Sequence, residues 1–118
     1  MKTTGKQREK MTRAYRLDVA KFIAVAARNQ RFVTYQDLES EFGIIARNWG
    51  DILGGIAIRL REHGLPLLPV VVVLKGTTMP SEGAVLYDDL GLTSSEDIMA
   101  EQRRCFDFDW GGTILGKS

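Results

Sequence analysis

Apolar residues near the start of the chain recur at intervals of three and four: Met11, Tyr15, Val19, Phe22, Ile23 and Ala26. That spacing puts them on one face and predicts a helix over about 7–28. Lys10, Arg13, Lys21 and Arg28 fall on its other faces. Asn29-Gln30-Arg31 is the expected stop, and Phe32-Val33 a short extended link. Thr34 then predicts an N-cap. Its hydroxyl can accept from the amide three residues on, while Asp37 reaches back to the cap. The helix so opened runs to about Phe42, with Leu38 and Phe42 on one side. Gly43 is the expected C-cap, because glycine tolerates positive φ.

A further helix is predicted over about 45–63, capped by Gly64. Ile45, Trp49, Ile52, Leu53, Ile56 and Leu60 form its apolar stripe. Arg47, Asp51, Gly54, Arg59 and Glu62 are left toward solvent or a ligand. The pair Gly54-Gly55 costs roughly 1 kcal/mol per glycine relative to alanine in mid-helix. Close helix packing is the favoured reason for it; close approach of a partner's backbone is the other.

Leu65-Pro66-Leu67-Leu68-Pro69 cannot continue a helix. Residues 70–74 are β-branched, unbroken and few, as in a buried strand. Residues 75–83 are turn-rich, and 84–87 can return as an antiparallel partner, making a β-wing. After a connector over 88–93, Ser94 or Ser95 caps a last helix with Glu96 and Asp97 in its first turn, where negative charge suits the helix dipole. Arg103 and Arg104 fall in its last turn. Phe106, Phe108 and Trp110 alternate with Asp107 and Asp109, as in an extended segment laying aromatics on the core. The expected fold is α+β: a winged-helix-like three-helix core, a small antiparallel β-wing and an additional C-terminal helix. Residues 7–110 form the single domain, with flexible tails at 1–6 and 111–118.

Composition sets few further limits. A chain of 118 residues with 44% hydrophobic and 26% charged residues is an ordinary single-core protein. It contains no apolar run of membrane-spanning length, so no membrane partner is expected. The basic start has no apolar stretch behind it resembling a secretory signal. A single cysteine, Cys105, excludes an intramolecular disulfide and fits a reducing cytoplasm. Net charge is only +1, but its distribution is uneven. Residues 1–62 hold 12 Lys/Arg against 7 Asp/Glu, whereas 63–118 hold 4 against 8. The molecule is therefore dipolar. The basic start reads either as a solvated helix end or as a phosphate-contacting arm.

Three motifs stand in order along 34–73: Thr34-Tyr35-Gln36-Asp37-Leu38, Ala46-Arg47-Asn48-Trp49-Gly50 and Pro69-Val70-Val71-Val72-Val73. Together they resemble the DNA-binding lobe of the alkylguanine DNA alkyltransferases and alkyltransferase-like proteins. There a Ser/Thr-Tyr helix start and an Ala-Arg helix start precede a Pro-Cys-His-Arg motif. The resemblance implies a winged helix. It also implies that Arg47 enters the duplex in place of a flipped nucleotide and that Tyr35 holds the rotated backbone. A flat, permanently charged guanidinium suits that role. The alternatives are that Arg47 is a surface charge and that Tyr35 packs beside the cap. Val70, Val71 and Val72 stand where the family has cysteine, histidine and arginine. Alkyl transfer is thereby excluded, since there is neither a thiolate nor a histidine to activate one.

Elsewhere the chemistry is sparse. His63 is the only histidine, and helix capping is its expected task. Cys105 reads as a buried structural thiol. Asp88-Asp89 and Asp107/Asp109 could hold Mg²⁺, but only the distant Lys75 could complete a nuclease-like set. Gly111-Gly112-Thr113 and Gly116-Lys117-Ser118 lack the following helix that a phosphate loop needs. No cofactor is expected.

The expectation is a non-catalytic winged-helix protein binding double-stranded DNA through Tyr35, Arg47, Asn48 and Arg59. The wing residues Lys75, Thr77 and Thr78 and the basic Lys10 and Arg13 would add contacts. The alternative is a protein-interaction module, such as a small accessory or inhibitor protein of a nuclease or mobile element. It would use the acidic Asp88, Asp89, Asp107 and Asp109 with Phe106, Phe108 and Trp110.

Overall fold

The computed structural model describes residues 5–44, 49–80 and 90–113. Its first departure from expectation is at the start, where one long helix is in fact two, α1 (Gly5–Arg13) and α2 (Leu17–Arg28). Arg16 is extended, at φ −131° and ψ 118°, and its guanidinium grips the Asp18 carboxylate at 3.1 and 2.6 Å. The break has a packing cause. Val19 and Ile23 are fully buried in the core, whereas Met11 and Tyr15 are half-buried against its edge, on the helix that carries Gly54, Gly55 and Arg59. Gly5 and Lys6, expected in a tail, already belong to α1.

β1 (Val33–Thr34) leads directly into α3 (Tyr35–Phe42). The capping box forms as the sequence predicts: the Asp37 amide donates to the Thr34 hydroxyl and the Thr34 amide to the Asp37 carboxylate, each at 3.0 Å. Gly43 ends the helix at φ +67°, donating to the Glu39 carbonyl at 2.8 Å. Phe42 packs edge-on against both Phe22 and Trp49, which ties α2 and α3 to the helix that Trp49 opens.

α4 (Trp49–Glu62) is the central helix. Trp49, every residue of 52–58 and Leu60 are buried. Gly54 was expected to face solvent or a ligand, but it lies under the Met11 side chain. A Cβ there would come within 2.6 Å of the Met11 sulfur. A Cβ on Gly55 would overlap the Met11 carbonyl oxygen. Helix packing therefore accounts for the glycine pair, with α1 as the neighbour. Gly64, at φ +67°, closes α4, and the Leu65 amide reaches back to the Leu60 carbonyl at 2.9 Å.

The wing also departs from expectation. Leu68–Val71 form a 3₁₀ turn with Pro69 near its start, and only Val72–Val73 are extended, as β2. Proline has no amide to donate and its fixed φ favours a turn. A short β-branched run is compatible with either a buried turn or a strand. β2 pairs with β1 in parallel, Val33 opposite Val72 and Thr34 opposite Val73. The described sheet is therefore parallel rather than antiparallel. The expected return strand over 84–87 lies outside the described residues.

α5 (Ser95–Asp107) is capped by Ser94, whose hydroxyl accepts from the Asp97 amide at 3.1 Å. It continues through Cys105 and on through Phe106 and Asp107, which were expected to be extended. Helical geometry buries Cys105 on the face it shares with Ile98 and Glu101. The chain then folds back through a 3₁₀ turn, Trp110–Gly112, so that the indole is fully buried and donates to the Cys105 carbonyl at 2.8 Å. Gly111 and Gly112, expected in the tail, complete that turn. No helix among the described residues is long and apolar enough to cross a membrane.

Candidate nucleic-acid interface

The parallel β1–β2 pair brings two elements of the expected interface together. Thr34 lies opposite Val73, so Tyr35 and Leu74 leave the pair at the same end. Tyr35 opens α3; Leu74 opens the loop that carries Lys75. Residues 33–35 and 72–75 are held in this register by the only two-stranded sheet among the described residues.

The loop is tightly bonded. The Leu74 amide donates to the Met79 carbonyl and the Thr77 amide to the Leu74 carbonyl, both at 3.0 Å. Gly76 takes φ +82°, a value glycine adopts without a side-chain clash. The Thr77 hydroxyl lies 2.9 Å from the Leu74 carbonyl oxygen and 3.2 Å from that of Met79. From beneath, the Gln102 side-chain amide donates to the Thr78 carbonyl at 2.7 Å and to the Val70 carbonyl at 2.9 Å. Gln102 is itself buried. Lys75 is exposed on this anchored turn and forms no ion pair among the described residues.

Other expected contact residues are already engaged within the protein. Lys10 pairs with Asp51 at 3.2 Å, and Arg13 pairs with Glu9 on its own helix. The Arg59 guanidinium sits over the Tyr15 ring, 4.6 Å from its centroid. Tyr35 is half-buried and packs against the core. The Thr77 hydroxyl bonds inside the loop, and the Thr78 carbonyl accepts from Gln102 on α5. Arg47 and Asn48 lie outside the described residues, as do Asp88 and Asp89.

The contact between α1 and α4 has a direction. Lys10 reaches Asp51, Met11 lies at Gly54 and Gly55, and Tyr15 lies under Arg59. The two segments thus advance in the same sense, and the basic first turn of α1, with Lys6 and Arg8, extends toward the N-terminal end of α4. Gly50 is exposed at that end, as Arg59, Arg61 and Glu62 are at the other. The middle of the helix is enclosed, with every residue of 52–58 buried.

The remaining candidates for chemistry do not converge. Among the described residues no three of His, Cys, Asp and Glu gather as metal ligands. Burial pushes the Cys105 thiol far above its ordinary range. The neighbouring Glu101 charge raises it further, and Arg104 only partly opposes them. Asp107 and Asp109 are exposed, and of the aromatics beside them only Trp110 is fully buried, Phe106 and Phe108 being half-buried. Trp110 is buried, Phe108 packs on Trp110 with centroids 4.7 Å apart, and Phe106 meets Phe32 edge-on at 5.2 Å.

Gln102 was not singled out by sequence reasoning. A signal existed for Gln102: Ile98, Glu101, Gln102 and Cys105 follow helical spacing, so two polar residues lie on the apolar stripe of α5. Their polarity is used. The Glu101 carboxylate accepts from the Leu67 amide at 2.8 Å and from Arg104 at 2.7 Å. No protein-family model, curated protein or solved structure matches this chain.

Proposed function

We propose that the protein is a non-catalytic, winged-helix-like module that binds double-stranded DNA. One observation carries this reading: the sheet register that sets the start of α3 beside an anchored turn with Lys75 exposed on it. A helix start next to a lysine-bearing loop is an arrangement suited to phosphates rather than to base edges. The α3–Gly43–α4 succession and the basic first turn of α1 support it. Arg47, just before the first turn of α4, is the residue proposed to enter or brace the duplex. The proposed contact set is therefore smaller than the sequence implied. Lys75, Arg47, Lys6 and Arg8 take the main part. Lys10, Arg13 and Arg59 would have to give up an internal partner first.

The test is fluorescence anisotropy with a labelled duplex over a range of salt. The expected result is micromolar or tighter binding at low salt, with affinity falling linearly on a log–log plot. Arg47→Ala combined with Lys75→Ala should reduce both affinity and salt slope. Absence of duplex binding at low salt, or a double variant indistinguishable from the parent, would refute the reading.

A second reading, a protein-interaction module, has its own observation. Met99 is 54% exposed and Phe32 37%, with half-buried Phe106 against Phe32 and Arg103 exposed on the same side of α5. The surface differs from the acidic one expected, because Trp110 is in the core. Under this reading Met99→Lys abolishes capture of a partner and leaves DNA titrations unchanged.

A further inference from the structure

We infer that Gln102 is the positioning residue of the wing: its buried amide fixes the Lys75 turn in the place from which Lys75 reaches a phosphate. The inference rests on the duplex-binding reading and adds to it the residue that sets the geometry.

The Gln102 side chain lies on α5, more than twenty residues beyond the turn in sequence, and both hydrogen atoms of its amide are used. One goes to the Val70 carbonyl, ahead of β2, and one to the Thr78 carbonyl, on the far side of Lys75. The two acceptors bracket the segment Val72 to Thr77. Bonds inside the turn, from Leu74 to Met79 and Thr77, shape it but do not orient it against the rest of the protein. The β1–β2 pair holds the near end of the segment. Gln102 holds the far end. A side chain of the same size without N–H groups would leave two carbonyls facing it without a donor, and the loop would have to move to find water.

The experiment is a double-mutant cycle on the full chain, read as the salt slope of duplex binding. In the parent, Lys75→Ala should lower the slope by about 0.9, the value for one phosphate contact. Gln102→Leu should lower it by the same amount by itself, and adding Lys75→Ala to Gln102→Leu should then change nothing. Amide hydrogen exchange at Leu74 and Thr77 should speed up in Gln102→Leu while that at Ile23 and Ile56 is kept. If Gln102→Leu does not fold, Gln102→Glu takes its place. Ionised, that carboxylate has no donor for either carbonyl; protonated, it has one. Slow exchange at Leu74 and the missing slope should therefore return as pH falls, whereas Gln102→Asn, which keeps both N–H groups, should recover part of each at any pH. Additive effects of the two substitutions, or a full salt slope in a folded Gln102→Leu protein, would overturn the positioning role and leave the duplex reading standing. A parent protein with no salt-dependent duplex binding would overturn both.

Discussion

The thiol of Cys105 has no exposed surface and lies next to the Glu101 carboxylate, on the same face of α5. Desolvation disfavours its ionised form, and a neighbouring negative charge disfavours it further. A free cysteine ionises near pH 8.5 and reacts as the thiolate. Native protein should therefore resist a disulfide-exchange reagent at pH 8 and react in proportion to its unfolded fraction as urea is added; a fast stoichiometric reaction without urea would show the assignment to be wrong. Asp97 is the opposite case. The Thr93 amide, and then the Thr93 and Ser94 side chains, hold its carboxyl below the usual range. A depressed folded value means stabilisation that is present above the unfolded value, about 3.9, and is lost as pH falls through the folded one. A carbon-detected NMR titration should place the Asp97 midpoint below the ordinary aspartate value of about 3.9. Thr93→Val, which removes the hydroxyl and keeps the amide, should raise it only partway.

At the scale of elements, the contact of α1 with α4 depends on two missing side chains. Gly54 and Gly55 are not equivalent, although both adjoin Met11. A methyl on Gly54 meets the end of a flexible thioether, which can swing aside, and it gains roughly 1 kcal/mol of helix propensity. A methyl on Gly55 meets the backbone carbonyl of Met11 and the Tyr15 amide, which cannot move without α1. Gly55→Ala should destabilise by about 1–3 kcal/mol, the usual cost of overpacking, whereas Gly54→Ala should stay within about 1 kcal/mol of the parent. Urea unfolding of the two variants decides it, and equal effects would place the close contact elsewhere. The same elements indicate what a sequence can reveal. The Thr34–Asp37 box, the Gly43 and Gly64 caps and the Ser94 cap were legible because each is a local rule linking a residue to its neighbours within one turn. The break at 14–16 was not legible, because Met11 and Tyr15 keep the helical phase of Val19 and Ile23 while packing elsewhere. The valine run is buried as expected but only half strand, because its composition reports burial, which a 3₁₀ turn satisfies as well as a strand does. The parallel register was hidden for a different reason: Val33–Thr34 and Val72–Val73 are two residues each, too short for any periodic signal. Of the candidate site, Lys75 was found as a free charge, but the engagement of Lys10, Arg13 and Arg59 depends on partners across the fold.

The whole molecule differs from a three-helix core with a helix appended. Glu101 accepts from the Leu67 amide, Gln102 spans Val70 and Thr78, and Ile98, Cys105 and Trp110 are buried in the same core as Val19 and Ile56. The acidic C-terminal half thus closes the fold that the basic N-terminal half begins, and the two should not unfold separately. The two tryptophans allow this to be measured, since Trp49 begins α4 and Trp110 follows α5, each at most 1% exposed. In a two-state domain every probe reports one transition. Trp49→Phe leaves a fluorophore only in the C-terminal half, and Trp110→Phe only in the N-terminal half. Each variant should be less stable than the parent, and Trp110→Phe also loses the indole donor to the Cys105 carbonyl. Within each variant, however, the fluorescence midpoint in urea should coincide with the midpoint from far-ultraviolet circular dichroism. If Trp110 fluorescence in the Trp49→Phe protein changes at lower urea than the helical signal, α5 is a separable unit. The hydrogen bonds that Gln102 and Glu101 make across the molecule would then be too weak to join the halves, and an anchored Lys75 turn would lose its support.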